Sequence, residues 1–416
     1  MSPGYDPLDP AFLADPYPAF AWLREHDPVH HHPADDRAPA FWALSRFEHV
    51  WDAVRRPEVF SSASGLTFFD DEIGRLDIPP TIVMLDPPRQ TQLRALIGRG
   101  FTPRRVLQLE SRIREFVRSR LGEMAARHAA GEVVDFHTDF ASTVPTYVLA
   151  ELFGVPAEER ERFAPWVQAL TRLQNDGFDA GALTGALTGA GSVDAVTAMA
   201  EMMAYFSAAI AERRTSPTDD LLGELVSARI DDADGRTHHL TDWDILGFCF
   251  VVVAGGSDTT ASLISHAVTL LDTAPDQRRL LLDDPGLIPA ALVEFLRLES
   301  SVQGLARTTL AEVEVEGVTI PAGQKVMMLY AAANRDPREF GPTADQVDVR
   351  REIPRHLSFS SGPHFCIGSH LARLQAKVAL EELLAAHPQV RLDPSSGRRH
   401  ESPFVRGWVS LPVAHL

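Results

Sequence analysis

From about residue 47 the chain reads as a succession of amphipathic helices. Apolar positions recur at three- and four-residue steps over 47–56, 89–100, 104–128, 138–153, 157–173, 193–213 and 218–230. Before them, the proline-punctuated residues 1–18 lead into a short helix, AFAWLREH, that ends at Asp27-Pro28. Residues 28–46 carry β-rich segments separated by turn residues, which predicts a hairpin. The stretch AEVEVEGVTIPAGQKVMMLY (311–330) alternates apolar and polar positions around Gly317 and Pro321-Ala322-Gly323, which predicts strand, turn, strand. The fold class is thus mainly α with a minor antiparallel β part near both ends. Two long connections, 64–88 and 181–191, read either as surface loops or as lids over a pocket.

The segment 240–275 predicts one long helix. Thr241 N-caps it with Asp244 as the reciprocal partner, Pro275 closes it, and its length is roughly 30 residues or about 45 Å. Its first half is apolar all round, so it runs through the interior. Gly255 and Gly256 cost on the order of 2 kcal/mol against alanine. Asp258, Thr259 and Thr260 follow directly. Two readings stand: a close helix crossing with threonine hydroxyls bonded back to the preceding turn, or a groove in which a small ligand lies on bare backbone beside an acid and an alcohol. Further on, Glu294 and Arg297 share a helical face in PAALVEFLRLES. The irregular stretch 331–352 after them needs fixed anchors, and an internal Glu–Arg pair supplies one kind.

Composition narrows the class. A length of 416 residues suggests a large domain with a smaller one attached, or two domains. A net charge of −18 argues against nucleic acid and against an anionic membrane surface. Two cysteines make no disulfide framework, and the N-terminal stretch has neither a basic region nor a long apolar run. A cytoplasmic protein is expected. His30-His31-His32 and His238-His239 read as polar strand or loop rather than metal sites.

FSSGPHFCIGSHLAR (359–373) places Cys366 between Gly362 and Gly368, just before a helical pattern. A structural zinc site wants about four N/S ligands, usually with paired cysteines, and Cys249 lies in the apolar helix. A nucleophile wants a matched base, and His364 is adjacent in sequence only. An inert buried thiol is the simple alternative, but it needs no flanking glycines. A thiolate at a helix N-terminus, held by backbone N–H groups and the helix dipole, is a further reading that stands beside these, and such a sulfur can ligate haem iron.

In combination these segments resemble the soluble bacterial cytochrome P450 family of haem-thiolate monooxygenases, over nearly the whole chain. Phe359, Gly362, His364, Cys366, Gly368, Leu371, Ala372 and Arg373 match its cysteine-loop motif. GGSDTT is similar to its oxygen-activation groove, and Glu294 and Arg297 to its E-x-x-R pair. LDPPRQTQLR resembles a propionate-binding segment. The resemblance implies one domain over 1–416, with a β-rich lobe near 20–60, 302–330 and 388–416 and a helical lobe near 61–300 and 331–387.

The same resemblance assigns residues. Haem b (iron protoporphyrin IX) is bound through Cys366, with Arg94, Gln90, Arg307 and His356 at propionate positions and Phe359, His364, Gly368, Ala254 and Gly255 at further cofactor-binding positions. Asp258 and Thr259 take the acid and alcohol positions of proton delivery, and Arg350 completes the structural triad with Glu294 and Arg297. Phe68, Phe69, Leu170, Phe250, Val251, Ala254, Val302, Leu305 and Phe404 fall at substrate-pocket positions. The expected activity inserts one oxygen atom of O2 into a hydrophobic small molecule, most simply by hydroxylation. Electrons come from a separate ferredoxin and its NAD(P)H-dependent reductase, and Arg94, Arg99, Arg104, Arg105, Arg373 and Lys377 form the docking patch. A peroxide-driven peroxygenase would not need the Asp258–Thr259 pair, and a non-catalytic haem-thiolate sensor would not need the intact groove. Two positions depart from the family pattern: Gln90 stands where histidine is common, and Ser360 replaces the first glycine of the cysteine loop.

Overall fold

The structure is a computed structural model that describes residues 5–69, 81–167, 169, 193–231 and 237–416. Leu170 and the loop 181–191 lie outside the described residues, as do residues 70–80 of the other long connection.

The helical lobe is built on α1 (Arg89–Ile97), α2 (Glu110–Ala129), α3 (Thr143–Leu152), α4 (Val193–Thr215), α5 (Asp242–Gly256), α6 (Asp258–Thr273), α7 (Ile288–Leu298) and α8 (Ser369–Ala386). One apolar core runs through them, joining Ile113 and Val117 of α2, Val144 and Val148 of α3, Ile245 and Val253 of α5, Ile264 and Val268 of α6, Leu292 of α7 and Leu380 of α8. Helix α8 packs against α2, α6 and α7. The segment that carries the cysteine at its N-terminal end is therefore fixed on several sides. Asp242–Thr273 is long and apolar enough by composition to cross a membrane, but most of it is buried inside the protein.

The expected capping box forms: Thr241 Oγ1 accepts from Asp244 N at 3.1 Å and Asp244 Oδ2 from Thr241 N at 3.1 Å. The expected single helix does not. It breaks at Ser257 (φ −84°, ψ −67°), which separates α5 from α6. Ser257 Oγ donates to Val253 O at 2.8 Å and Thr259 Oγ1 to Gly255 O at 2.8 Å. Hydroxyls bonded back to the preceding turn, next to two glycines, account for the disruption.

The β lobe is a five-stranded sheet. β1 (Val29–His32) pairs antiparallel with β2 (Phe41–Leu44), the hairpin expected for 28–46. β3 (Phe60–Ser61), β4 (Leu305–Thr309) and β5 (Lys325–Met328) complete it in the order β1-β2-β5-β4-β3, and the β2–β5 pair is parallel. The stretch 311–330 is more divided than its alternation suggests. Val313–Val315 and Val318–Ile320 form a small hairpin at Gly317 (φ +77°), while β5 joins the large sheet. Near the C-terminus β6 (Arg398–Arg399) pairs with β7 (Trp408–Ser410).

Candidate active site

The cysteine loop is tethered from within. Cys366 N donates to Phe359 O at 2.8 Å, and the loop turns through positive φ at Ser360 (+57°) and Gly362 (+67°). A Cβ on Gly362 would come within 3.0 Å of Val54 O, so this glycine permits close backbone approach. Ser360 does adopt the left-handed conformation that glycine takes at this motif position, at some cost in strain. Its buried hydroxyl has no hydrogen-bond partner. Arg373 lies over the Phe359 ring at 5.5 Å and donates to Ser369 O at 3.1 Å.

The surroundings of Cys366 act on its sulfur in both directions. Burial pushes the Cys366 thiol up, and the Gly368 N–H and the charges of Arg94 and Arg373 only partly oppose it. A metal ion bound to the sulfur would favour its deprotonated form.

Beside this loop a group of cations gathers. Arg307 on β4 is 3 % exposed and donates to Ala306 O at 2.8 Å. Arg94 on α1 is half-buried, and neither arginine has an acidic partner among the described residues. His364 lies near both; burial first, and then the charges of Arg307 and Arg94, lower its pKa to about 4. Its Nε2 is 3.1 Å from Ser62 Oγ. Buried guanidinium groups without a counter-ion are expensive unless an anion joins them. Two carboxylates, as on iron protoporphyrin, would satisfy this pair by charge-assisted hydrogen bonds.

Two further residues expected around the propionates also bond or pack within the chain. Gln90 is 1 % exposed, and its Nε2 donates to Pro363 O at 2.7 Å, so it anchors the cysteine loop. His356 has the Phe359 ring at 5.7 Å; burial first, and then the charges of Arg373 and Arg297, lower it to about 4.

Gly255 on α5 leaves bare backbone: a Cβ there would meet nothing within 4 Å. Ala254 precedes it, 6 % exposed. Thr259 is half-buried, and its carbonyl accepts from Ser301 Oγ at 3.0 Å. Asp258 is 7 % exposed and lies 3.3 Å from His400 Nε2 through Oδ1. The open Gly255 backbone, the two unpaired guanidinium groups and the cysteine loop together suit an iron porphyrin with propionate arms.

The structural triad forms with a different arginine. Arg297 Nε donates to Glu294 Oε2 at 2.7 Å, both side chains being fully buried, and Arg297 Nη1 reaches the Asn334 and Ala344 carbonyls at 2.8 and 2.6 Å. The second cation on Glu294 is Arg351, at 3.1 Å, whereas Arg350 is exposed. Asp348 N also donates to Glu294 Oε1, at 3.1 Å, which turns the chain so that residue 351 points inward. Asn334, not foreseen from sequence, links this unit to the approach to the cysteine loop. It accepts from Leu357 N at 2.7 Å and donates to Ser300 Oγ and Ser358 Oγ, both at 2.9 Å.

Among the pocket residues, Phe250, Val251, Val302, Leu305 and Phe69 are half-buried. Phe68 and Phe404 are instead core: Phe68 is fully buried, with ring centroids 4.6 Å from Phe41 and 5.0 Å from Phe404. The docking patch is thinner than expected. Arg105 is engaged by Glu224 and Asp219, and Lys377 by Glu110 and Glu381, both at 3.4 Å. Arg94 and Arg373 are half-buried, and Arg104 is exposed.

A family model described as Cytochrome P450 matches residues 52–283 and 286–402. The chain is 44% identical over 403 residues to cytochrome P450 130 of Mycobacterium tuberculosis, covering 96% of this chain and 94% of the relative. It is 36% identical over 416 residues to vitamin D(3) 25-hydroxylase of Pseudonocardia autotrophica, covering 98% and 96%. The solved structure of Mycobacterium marinum CYP268A2 in complex with pseudoionone superposes with a TM-score of 0.85 at 31% identity, covering 99% of each chain.

Proposed function

Because the chain belongs to the cytochrome P450 family, and so to the haem-iron oxidoreductases that incorporate oxygen from O2, we propose that it is a haem b hydroxylase of an apolar small molecule. We place it in the cytoplasm, supplied with electrons by a separate ferredoxin and its reductase. The observation that carries the reading is that Arg94 and Arg307, beside the loop of Cys366, have no acidic partner among the described residues.

When bound, haem supplies dioxygen activation, and a thiolate ligand in this family is known to favour O–O cleavage. The chain's residues do the rest. Cys366 Sγ holds the iron, and Arg94 and Arg307 bind the propionates. Asp258 takes up protons from water, and the Thr259 hydroxyl directs them toward the dioxygen site. Phe250, Val251, Val302 and Leu305 offer apolar surface to the substrate and exclude water. The ligands named for two relatives, vitamin D3 and pseudoionone, are both largely apolar molecules. Ferredoxin would meet the cysteine side near exposed Arg104 and Phe365.

The reduced protein with carbon monoxide should show the absorption band of thiolate ligation, and a histidine-type spectrum in folded protein would remove Cys366 from its role. Thr259→Ala should raise peroxide release about tenfold relative to oxygen fully reduced or inserted. An unchanged ratio would refute the proton-directing role of Thr259.

A further inference from the structure

A cavity of about 590 Å³ lies beside α6 and includes Ser257 and Asp258 in its wall, but not Gly255, Thr259 or Cys366. None of the half-buried apolar residues assigned to the substrate contributes to it. Its other walls come from α3, from the turn 137–141, from Ala164 and from the C-terminal β6–β7 region. Arg120, Arg160, Arg398 and His137 also face it, so it is polar enough to hold water.

His400, between β6 and β7, reaches Asp258 because Gly407 lets this segment close on α6. A Cβ on Gly407 would overlap Ser262 Oγ and come within 2.9 Å of His400 Cδ2. His400 is 4 % exposed, and its Nε2 lies 3.3 Å from Asp258 Oδ1. His400 Nδ1 is buried without a partner, so the tautomer that makes this bond carries its proton on Nε2. Asp258 Oδ2 accepts no hydrogen bond from any described residue.

We propose that this cavity is the proton inlet of Asp258, and that His400 is the positioning residue that holds the carboxylate at its inner wall. The inference rests on the reading of Asp258 as the proton-delivering acid. An apolar substrate displaces water from its own pocket, so protons need a second way in. A proton from cavity water binds Oδ2 while Oδ1 stays on the His400 N–H. The same proton then leaves toward Thr259, which restores the carboxylate, and nothing is oxidised or reduced in the transfer.

The test uses holoenzyme driven by NADPH through a surrogate ferredoxin and reductase, with its substrate pocket filled by an apolar ligand that shifts the Soret band from low to high spin. The ratio of O2 released as peroxide to O2 reduced to water is read. Asp258→Asn and His400→Phe should each raise it about tenfold, while His400→Gln, which keeps an N–H donor, should stay within about twofold of the parent. A rise in Asp258→Asn with none in His400→Phe overturns the positioning role and leaves the acid intact. No rise in Asp258→Asn refutes the acid reading itself. A His400→Gln ratio as high as that of His400→Phe overturns the hydrogen-bond argument. If His400→Phe does not fold, Ala164→Phe fills the cavity away from the haem side, and an unchanged ratio there overturns the inlet. Independently of turnover, 15N spectra of histidine-labelled, reduced, CO-bound protein should show His400 protonated on Nε2. That signal should shift in Asp258→Asn, and protonation on Nδ1 overturns the assignment.

Discussion

Ser360 holds φ at +57° in a loop where glycine would do so freely. Its N–H donates to Leu357 O at 2.8 Å, so the strained conformation is fixed by a backbone turn, while its hydroxyl gains no partner. Ser360→Gly should stabilise the protein by about 1 kcal/mol, read as a raised urea midpoint with an unchanged slope. A lower midpoint would show that serine contributes something the loop needs. At this scale the sequence was legible where chemistry sits in one short segment, as at Cys366, His364, Glu294 and Arg297. It was not legible where contact joins distant segments: His400 and Asp258 are 142 positions apart. Aromatic side chains were ambiguous for another reason. Phe68 packs on Phe404 and on Phe41, and nothing in the spacing of these residues separates a core ring from a pocket ring.

At the scale of elements, the ends of helices were easier to read than their continuity. The capping box at Thr241 is a local pattern. The break at Ser257 depends on two hydroxyls choosing backbone acceptors within an apolar environment. The stretch after Asn334 shows the same limit more sharply. Adjacent arginines point in opposite directions, and only the turn at Asp348 decides which of them meets Glu294. Arg351→Ala leaves the buried Glu294–Arg297 pair short of one cation, with a further loss of bonds to the Phe340 and Thr343 carbonyls. It should cost about 3 kcal/mol in stability, and Arg350→Ala less than about 0.5 kcal/mol. Denaturant titration of the two variants side by side checks this, and equal losses would dismiss the assignment of Arg351.

Across the whole molecule, buried histidines set the response to acid. Burial lowers His137 to about 4, against the opposing charge of Asp258, and lowers His266, fully buried with both ring nitrogens unpartnered, to about 3. An unfolded chain takes up these protons near pH 6.5, whereas the folded one does not. Each ring therefore removes about 1 kcal/mol of stability per pH unit as pH falls from 6.5 toward 4, and contributes no slope above 6.5. Urea midpoints measured across that window should decline, and His266→Phe should flatten the decline. A slope unchanged by that substitution would mean that other groups govern acid unfolding.

The division between satisfied and unsatisfied cations also bears on how the molecule is made in the cell. Arg297 and Arg351 find all their anchors within the polypeptide, so the framework behind the cysteine loop assembles from the chain alone. Arg94 and Arg307 meet no carboxylate among the described residues, and propionates would supply two. Translation and folding should therefore run ahead of cofactor supply, leaving in iron-starved cells a folded precursor that matures when porphyrin arrives.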